Sequence, residues 1–318
     1  MAPKIINRRQ FCGGLGAGLT TLVTFQETFA QPWKVSEKKQ NSNNILLGIT
    51  RFHISKHEDT LLDLARTNKL GFVEIVAANK GIDPWLPGPG KKITLPTAHL
   101  LPDGPRKGIL LNLVDQRLYY FPKNSKQVKS FPIGTGQDAW STPLGSTQVI
   151  RKKKNPIWFV PKSIRKEQPE LPEIILPGPD NPLGQHALYL GWQSYLIHGT
   201  NIPWGVGRRV SHGCIRMYPE DISWLFSRVP IGTPVTVVKQ ELKLGWVDNQ
   251  LFIEVHPNPK QNEELERTGK FRSAKVPEMI YRIAHAAGRR VKQVDWKKVK
   301  IAALERTGLP VAVLKNRH

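Results

Sequence analysis

Cysteine is almost missing from this chain of 318 residues: there are two, with three methionines. Two cysteines cannot make a disulfide framework, and no Cys-x-x-Cys or His-Glu-x-x-His pairing suggests zinc. Acidic residues are also few, 25 against 47 Lys plus Arg, for a formal charge of +22. The natural partners are therefore anions. Long apolar runs are absent. The stretch from Phe11 to Phe25 is broken by Gly13, Gly14, Gly16 and Gly18 and is too short to span a bilayer, so a polytopic membrane protein is excluded. There is no GxSxG, no P-loop, and no GxGxxG followed by an acidic residue. Hydrophobic residues at 39% and charged residues at 23% exclude whole-chain disorder.

What is present is turn chemistry. Glycine and proline number 26 each, which favours many short strands over a helical bundle. The length suits two domains and a smaller third piece. Residues 1–30 read as an export signal, with Lys4, Arg8 and Arg9 at its start and Thr28-Phe29-Ala30 as the small-residue cleavage site. Asn7-Arg8-Arg9-Gln10-Phe11 is similar to a twin-arginine signal, although Asn7 and Cys12 depart from that pattern. The alternatives are the general secretory route and an uncleaved anchor. Cleavage after Ala30 removes three basic residues and one acid, so the mature charge is +20 with no transmembrane segment. It also removes Cys12 and leaves Cys214 as the sole thiol. In an oxidising compartment such a thiol is either inert and buried or kept for its reactivity.

Residues 31–45 are a polar linker. Residues 46–97 form a module with the order strand, helix, helix, strand: a strand near Arg51–Ile54, a helix capped by Asp59 or Thr60, a second helix from Phe72 to Asn79, and a strand closing at Pro96. From Lys107 the apolar period becomes two, with a hairpin turn at Val114-Asp115-Gln116 and further strands at 146–151, 157–160, 187–190, 195–198 and 234–239. One helix, 220–226, starts at Pro219 and stops before Pro230. Residues 106–240 thus read as a mainly β sandwich or barrel. Residues 241–318 are a basic extension with a hairpin at Asp248-Asn249 and two helical stretches, about 277–288 and 295–307.

Chemistry concentrates in one segment. An apolar strand, Tyr195-Leu196-Ile197, delivers His198 to its end. Gly199 and Thr200 open a glycine- and arginine-rich loop containing Trp204, and Ser211-His212-Gly213-Cys214-Ile215-Arg216 closes it. Thiolate is the reactive form of cysteine, and His198, His212, Arg208, Arg209 and Arg216 are the positive neighbours expected to lower the Cys214 pKa. Gly213 allows backbone N–H groups to approach a reacting carbonyl, so the Gly213 and Cys214 amides could form an oxyanion site. Of the two histidines, His198 faces the thiol from a separate strand and is the candidate base. His212, two residues from the sulfur, is a structural or polarising neighbour. Trp192, Tyr195 and Trp204 could line a groove. The rival readings are an inert core cysteine and a zinc site of His198, His212 and Cys214.

The segments "IHGT" (197–200) and "VSHGCIRM" (210–217) resemble the YkuD-type (ErfK/YbiS-like) L,D-transpeptidases of bacterial cell walls. The resemblance runs over roughly 47–240, through "GILLNLVDQRLYYFP", "PIGTGQ", "STPLGSTQV" and "LPGPDNPLGQHALYLG". The 46–97 module, through "DTLLDLARTN", "VEIVAANKGID" and "LPGPGKKITLP", is similar to the glycan-binding LysM module. The resemblance implies a β-sandwich catalytic domain behind a small α+β module, without metal or other cofactor. It implies that Cys214 attacks a wall tetrapeptide, D-alanine leaves, and an amine resolves the thioester. His198 takes the base position, with backbone carbonyls around Gly199 and Thr200 orienting its ring, and Ser211, His212 and Gly213 belong to the nucleophile loop. Some relatives carry Asn where Arg216 stands; Arg216 either holds a substrate carboxylate or braces the loop. Implied partners are peptidoglycan stem peptides and glycan strands, with an envelope lipoprotein as one acceptor, in a Gram-negative periplasm. Nucleic acid is not implied: "RKKK" (151–154) reads as a solvated face. An L,D-carboxypeptidase using the same site and a non-enzymatic wall-binding protein are the alternatives.

Overall fold

The structure, a computed structural model, describes residues 45–315 apart from 124, 126 and 138–140. The export signal and residues 31–44 of the linker lie outside the described residues.

Strands Arg51–Ile54 and Lys92–Leu95 pair antiparallel around helices Leu61–Thr67 and Phe72–Ala78. The Thr60 hydroxyl accepts from the Asp63 N–H and starts the first helix. Leu61, Ala65, Leu70, Ile75, Val76 and Ile93 form a small core of their own, which Leu265 of the extension completes.

The central sheet has eight strands. Their order is Ile215–Arg216, Leu196–His198, His186–Leu190, Gly145–Lys154, Pro234–Val238, Gly108–Asn112, Arg117–Phe121 and Lys129–Pro132. The expected sandwich is built from this one sheet curled on itself. Just past its last strand, Gly134 exchanges two backbone hydrogen bonds with Arg216 at the opposite edge, 2.8 and 2.9 Å. Thr135–Gly136 then runs parallel to Arg209–Ser211. Inside the curl, Ile109, Leu118, Phe131, Val149, Leu188, Ile197, Ile215 and Val235 pack with Ile222 and Leu225 of helix Pro219–Arg228. Each such side chain contributes roughly 1.5–3 kcal/mol by leaving water. The 157–160 expectation shortens to a two-residue strand, Trp158–Phe159, paired with Ile174–Ile175.

The extension is a hairpin, Leu242–Val247 with Gln250–Val255, joined by Val311–Ala312. Asp248 and Asn249 at its turn both have positive φ, 45° and 62°, as a two-residue hairpin demands. Helices Met279–Ala287 and Trp296–Glu305 cover it. A third helix, Pro259–Thr268, was not expected. Its signals are a capping box between Asn258 and Gln261, Pro259 in the first turn, and Gly269 at φ 68° as the stop.

Module, sheet and extension meet at a buried charge cluster. The Lys243 ammonium lies 2.8 Å from Asp115, 2.6 Å from Glu254 and 3.0 Å from the Tyr119 hydroxyl. Glu254 also holds His256 at 2.7 Å and accepts the Leu100 N–H. Arg117 Nη1 reaches Glu74 of the module at 2.7 Å and the Lys69 carbonyl at 3.3 Å. Burial opposes the Lys243 ammonium, yet Asp115 and Glu254 outweigh it and hold its pKa well above the ordinary value.

Among the described residues, no helix is long and apolar enough to cross a membrane.

Candidate active site

The sheet register brings the key residues together. Leu196–His198 runs parallel to Ile215–Arg216, with Ile197 opposite Ile215 and His198 opposite Arg216. The two isoleucines are fully buried and point into the curl. His198 and Arg216 therefore share the other face. Cys214 stands two residues before Arg216, which aims it to the His198 side. Diagonal neighbours of this kind lie within reach of ring side chains.

His198 is 3% exposed. Its Nδ1 lies 2.6 Å from the Gly199 carbonyl, so Nδ1–H donates there and Nε2 is left to carry a proton in a reaction. Burial and, next, the Arg216 charge push its pKa down to about 3; the Gly199 and Leu183 carbonyls pull the other way. The resting imidazole is neutral. Cys214 is partly exposed, and its thiol donates to the Ser194 carbonyl at 3.5 Å. Burial pushes the thiol pKa up, against a backbone hydrogen bond from Leu196 and the Arg216 charge. This reverses the sequence expectation of a lowered thiol pKa. Desolvation exceeds the pull of the one nearby cation, and two expected cations turn away. Arg208 packs on the Phe72 ring at 3.7 Å and faces Glu266, while Arg209 pairs with Glu263 at 3.3 Å.

The turn that carries Cys214 is braced from inside. The Ser211 hydroxyl donates to the Cys214 carbonyl at 2.6 Å. Gly213 adopts φ 99°, a conformation that side chains disfavour. Thr142 donates to the Gly213 carbonyl at 2.9 Å. In a trans peptide the N–H points opposite to the C=O, so Thr142 also fixes the direction of the Cys214 N–H, a candidate oxyanion donor. Sequence reasoning missed Thr142, because 71 residues separate it from its partner. It also missed Glu167, whose carboxylate holds His212 Nε2 at 3.0 Å.

Other candidates have more local places. Thr200 Oγ1 accepts the Ile202 N–H at 3.0 Å and shapes the loop. Trp192 and Tyr195 pack edge to face at 6.3 Å beside Ser194. Trp204, in the turn Pro203–Gly205, borders a hollow that it shares with Leu62, Arg66 and Phe72 of the module. The ligand atoms of His198, His212 and Cys214 do not come within 4.8 Å of one another as a group. Among the described residues the group that does is Asp115, Glu254 and His256, whose two carboxylates already hold the Lys243 ammonium.

The loop between His198 and Cys214 is gripped by the module. Phe72 and Val73, opening helix Phe72–Ala78, donate backbone N–H groups to the Val206 and Gly207 carbonyls at 3.3 and 3.1 Å. Gly207 has φ 78°, and a Cβ there would lie 2.2 Å from the Phe72 nitrogen. Below the loop, Arg66 makes two 3.0 Å bonds to Glu220, and the Tyr218 hydroxyl reaches the Leu70 carbonyl at 3.1 Å.

Comparison with known proteins adds identity to this geometry. Residues 106–237 match the family described as YkuD, L,D-transpeptidase catalytic domain. The chain is 38% identical over 250 residues to the probable L,D-transpeptidase ErfK/SrfK of Escherichia coli, covering 76% of this chain and 78% of that one. It is 39% identical over 221 residues to the probable L,D-transpeptidase YcfS of the same organism, covering 66% and 69%. It is 40% identical over 208 residues to the probable L,D-transpeptidase YbiS, covering 64% and 67%. Among solved structures, an Enterococcus faecium L,D-transpeptidase aligns at 23% identity with a TM-score of 0.33, covering 42% of this chain and 49% of that one.

Proposed function

The chain belongs to the L,D-transpeptidase family, and from that premise we propose that it is a wall-associated peptidoglycan L,D-transpeptidase in which Cys214 is the nucleophile and His198 the proton carrier. The observation that carries this reading is the parallel register of the His198 and Arg216 strands, with Cys214 on the same face.

The sulfur attacks the carbonyl carbon of the third stem residue, and its proton passes to Nε2 of His198. The developing oxyanion meets the Cys214 N–H, whose direction Thr142 sets. Collapse breaks the C–N bond, the proton passes from Nε2 to the leaving amine, and D-alanine departs from a thioester. An acceptor amine, on another stem or on an envelope lipoprotein, then attacks the thioester. Its proton goes to Nε2 and on to the sulfur. A neutral thiol beside a neutral imidazole suits this sequence: neither group needs an ionised resting form, and the proton moves as bonds change.

The 46–97 module is, in this reading, a LysM-type element that holds glycan strands. Its hydrogen bonds to the loop at Val206 and Gly207 make it a positioning part of the site as well. The mature charge of +20 suits an acidic polymer, and the E. coli relatives suit a Gram-negative periplasm reached through the export signal.

Intact-mass spectrometry with a disaccharide-tetrapeptide tests the proposal. The wild type should gain the donor mass less alanine on Cys214, and Cys214→Ala should gain nothing. An unmodified wild type, or an adduct that survives in Cys214→Ala, overturns it. Adding an amine acceptor should give joined product; free tripeptide alone would make the enzyme a carboxypeptidase.

A further inference from the structure

The extension contains two kinds of helix surface. Helix Pro259–Thr268 carries Glu263, Glu264 and Glu266 among Lys260 and Arg267, and its one large apolar residue, Leu265, is buried. That is an ordinary solvated face. From Met279 to Leu304 the pattern differs: seven basic residues stand against a single acid, Asp295. Asp295 is occupied in capping its helix, where it accepts the Lys297 and Lys298 N–H groups. Arg282 reaches Asp103, and Arg290 reaches Asn249. Arg289, Lys292, Lys297, Lys298 and Lys300 have no carboxylate partner among the described residues, and all five are exposed.

Apolar side chains stand among these cations, outside the core. Helices Met279–Ala287 and Trp296–Glu305 lie on one face of the hairpin, since Ile283 and Ala287 of the first and Val299 of the second share a core with Leu242, Leu251 and Ile253. At about 3.6 residues per turn, Tyr281 and His285 fall opposite Ile283, and Lys297, Ile301 and Leu304 fall opposite Val299. Ile280, Tyr281, Ile301 and Leu304 are 66, 69, 51 and 46% exposed. Two helices packed on the same side of a sheet turn their outer faces the same way, so the cations and the apolar side chains form one surface.

Exposed lysines alone need no explanation; lysines interleaved with exposed aliphatic and aromatic side chains do. The occupant must offer negative charge and, beside it, an apolar layer. A nucleic acid or a hydrophilic wall polymer offers only the charge. A folded acidic protein is met best by the oriented fork of arginine, whereas four of the five cations without a carboxylate are lysines, point charges on flexible stems. An anionic bilayer offers both: headgroup phosphates for the ammonium groups and, just below them, acyl chains for Ile301 and Leu304.

We propose that the outer faces of helices Met279–Ala287 and Trp296–Glu305 form a docking surface for an anionic phospholipid bilayer, on which the protein lies without crossing it. The surface is independent of the reaction at Cys214.

Sedimentation of the full chain with phospholipid vesicles tests the proposal. Binding should require phosphatidylglycerol in phosphatidylcholine vesicles and should weaken as salt is raised. Lys297→Gln with Lys300→Gln should weaken it about 10- to 30-fold, and Ile301→Ser with Leu304→Ser about 10-fold. All four side chains are exposed, so the melting temperature and the iodoacetamide labelling of Cys214 should stay as in the wild type. A wild type that remains in solution with anionic vesicles overturns the proposal. So does equal binding by all three proteins, which would put the contact in residues 1–30 or on another basic face. Loss in the lysine pair with none in the serine pair would mean that the surface fits a charged polymer rather than a bilayer, and overturns it too.

Discussion

Lys243 is wholly and Arg216 partly withdrawn from water, and among the described residues Lys243 alone of the two has anions to meet it. Around Lys243, Asp115, Glu254 and Tyr119 supply acceptors within 3.0 Å; the cluster joins Lys243, Glu254 and His256 of the extension to Asp115 and Tyr119 of the sheet region and is flanked by the Arg117–Glu74 pair of sheet and module. Around Arg216 there is a neutral imidazole, a neutral thiol and backbone. The first arrangement spends its charges on holding three parts of the chain together. The second leaves a guanidinium whose buried Nε has no hydrogen-bond partner among the described residues.

The largest break in that comparison should come from Lys243→Met. It leaves Asp115 and Glu254 buried without their cation and should cost about 3–5 kcal/mol, read from the urea unfolding midpoint. A loss near zero would mean that water or a proton replaces the ammonium easily. Next is Gly207→Ala, which puts a side chain on a φ of 78° and against the Phe72 nitrogen. Strain of about 1–3 kcal/mol is expected, with slower thioester formation as the loop shifts. Unchanged kinetics would show that the module's grip does not position the site. The most gradual effect is a slope, small within any one pH unit. Unfolded His198 takes a proton below about 6.5, whereas the folded ring refuses it until about 3. The folded state therefore binds fewer protons in that window. Its stability is full above pH 6.5 and falls on acidification, by up to about 1.4 kcal/mol per unit from this group. His198→Gln should remove that increment from the pH–stability curve; parallel curves for the two proteins would place the ring in contact with water.

Much of the fold was legible because its signals are local. The Thr60 cap, the Asp248-Asn249 turn and the Pro219 helix start each depend on residues within one turn of the chain. Helix Pro259–Thr268 carried equally local caps but was overlooked, since Leu265 is a lone apolar anchor among Lys260, Asn262, Glu263, Glu264 and Glu266. The role of Leu265 lies in the core of a module some 200 residues earlier in the chain, and no period within the helix announces it.

The sequence by itself determined the chemical inventory: one thiol beside Gly213, a histidine at the end of an apolar strand, and an arginine two residues past the sulfur. Residue type and spacing are covalent facts. The tertiary structure decided what those groups are worth. It buried the imidazole and partly desolvated the thiol so that both rest neutral, and it sent Arg208 and Arg209 to acids of the extension. It set Thr142 behind Gly213 and left Arg216 without an anion among the described residues. Each of these depends on distance and local dielectric between segments far apart in the chain, which composition and periodicity do not encode.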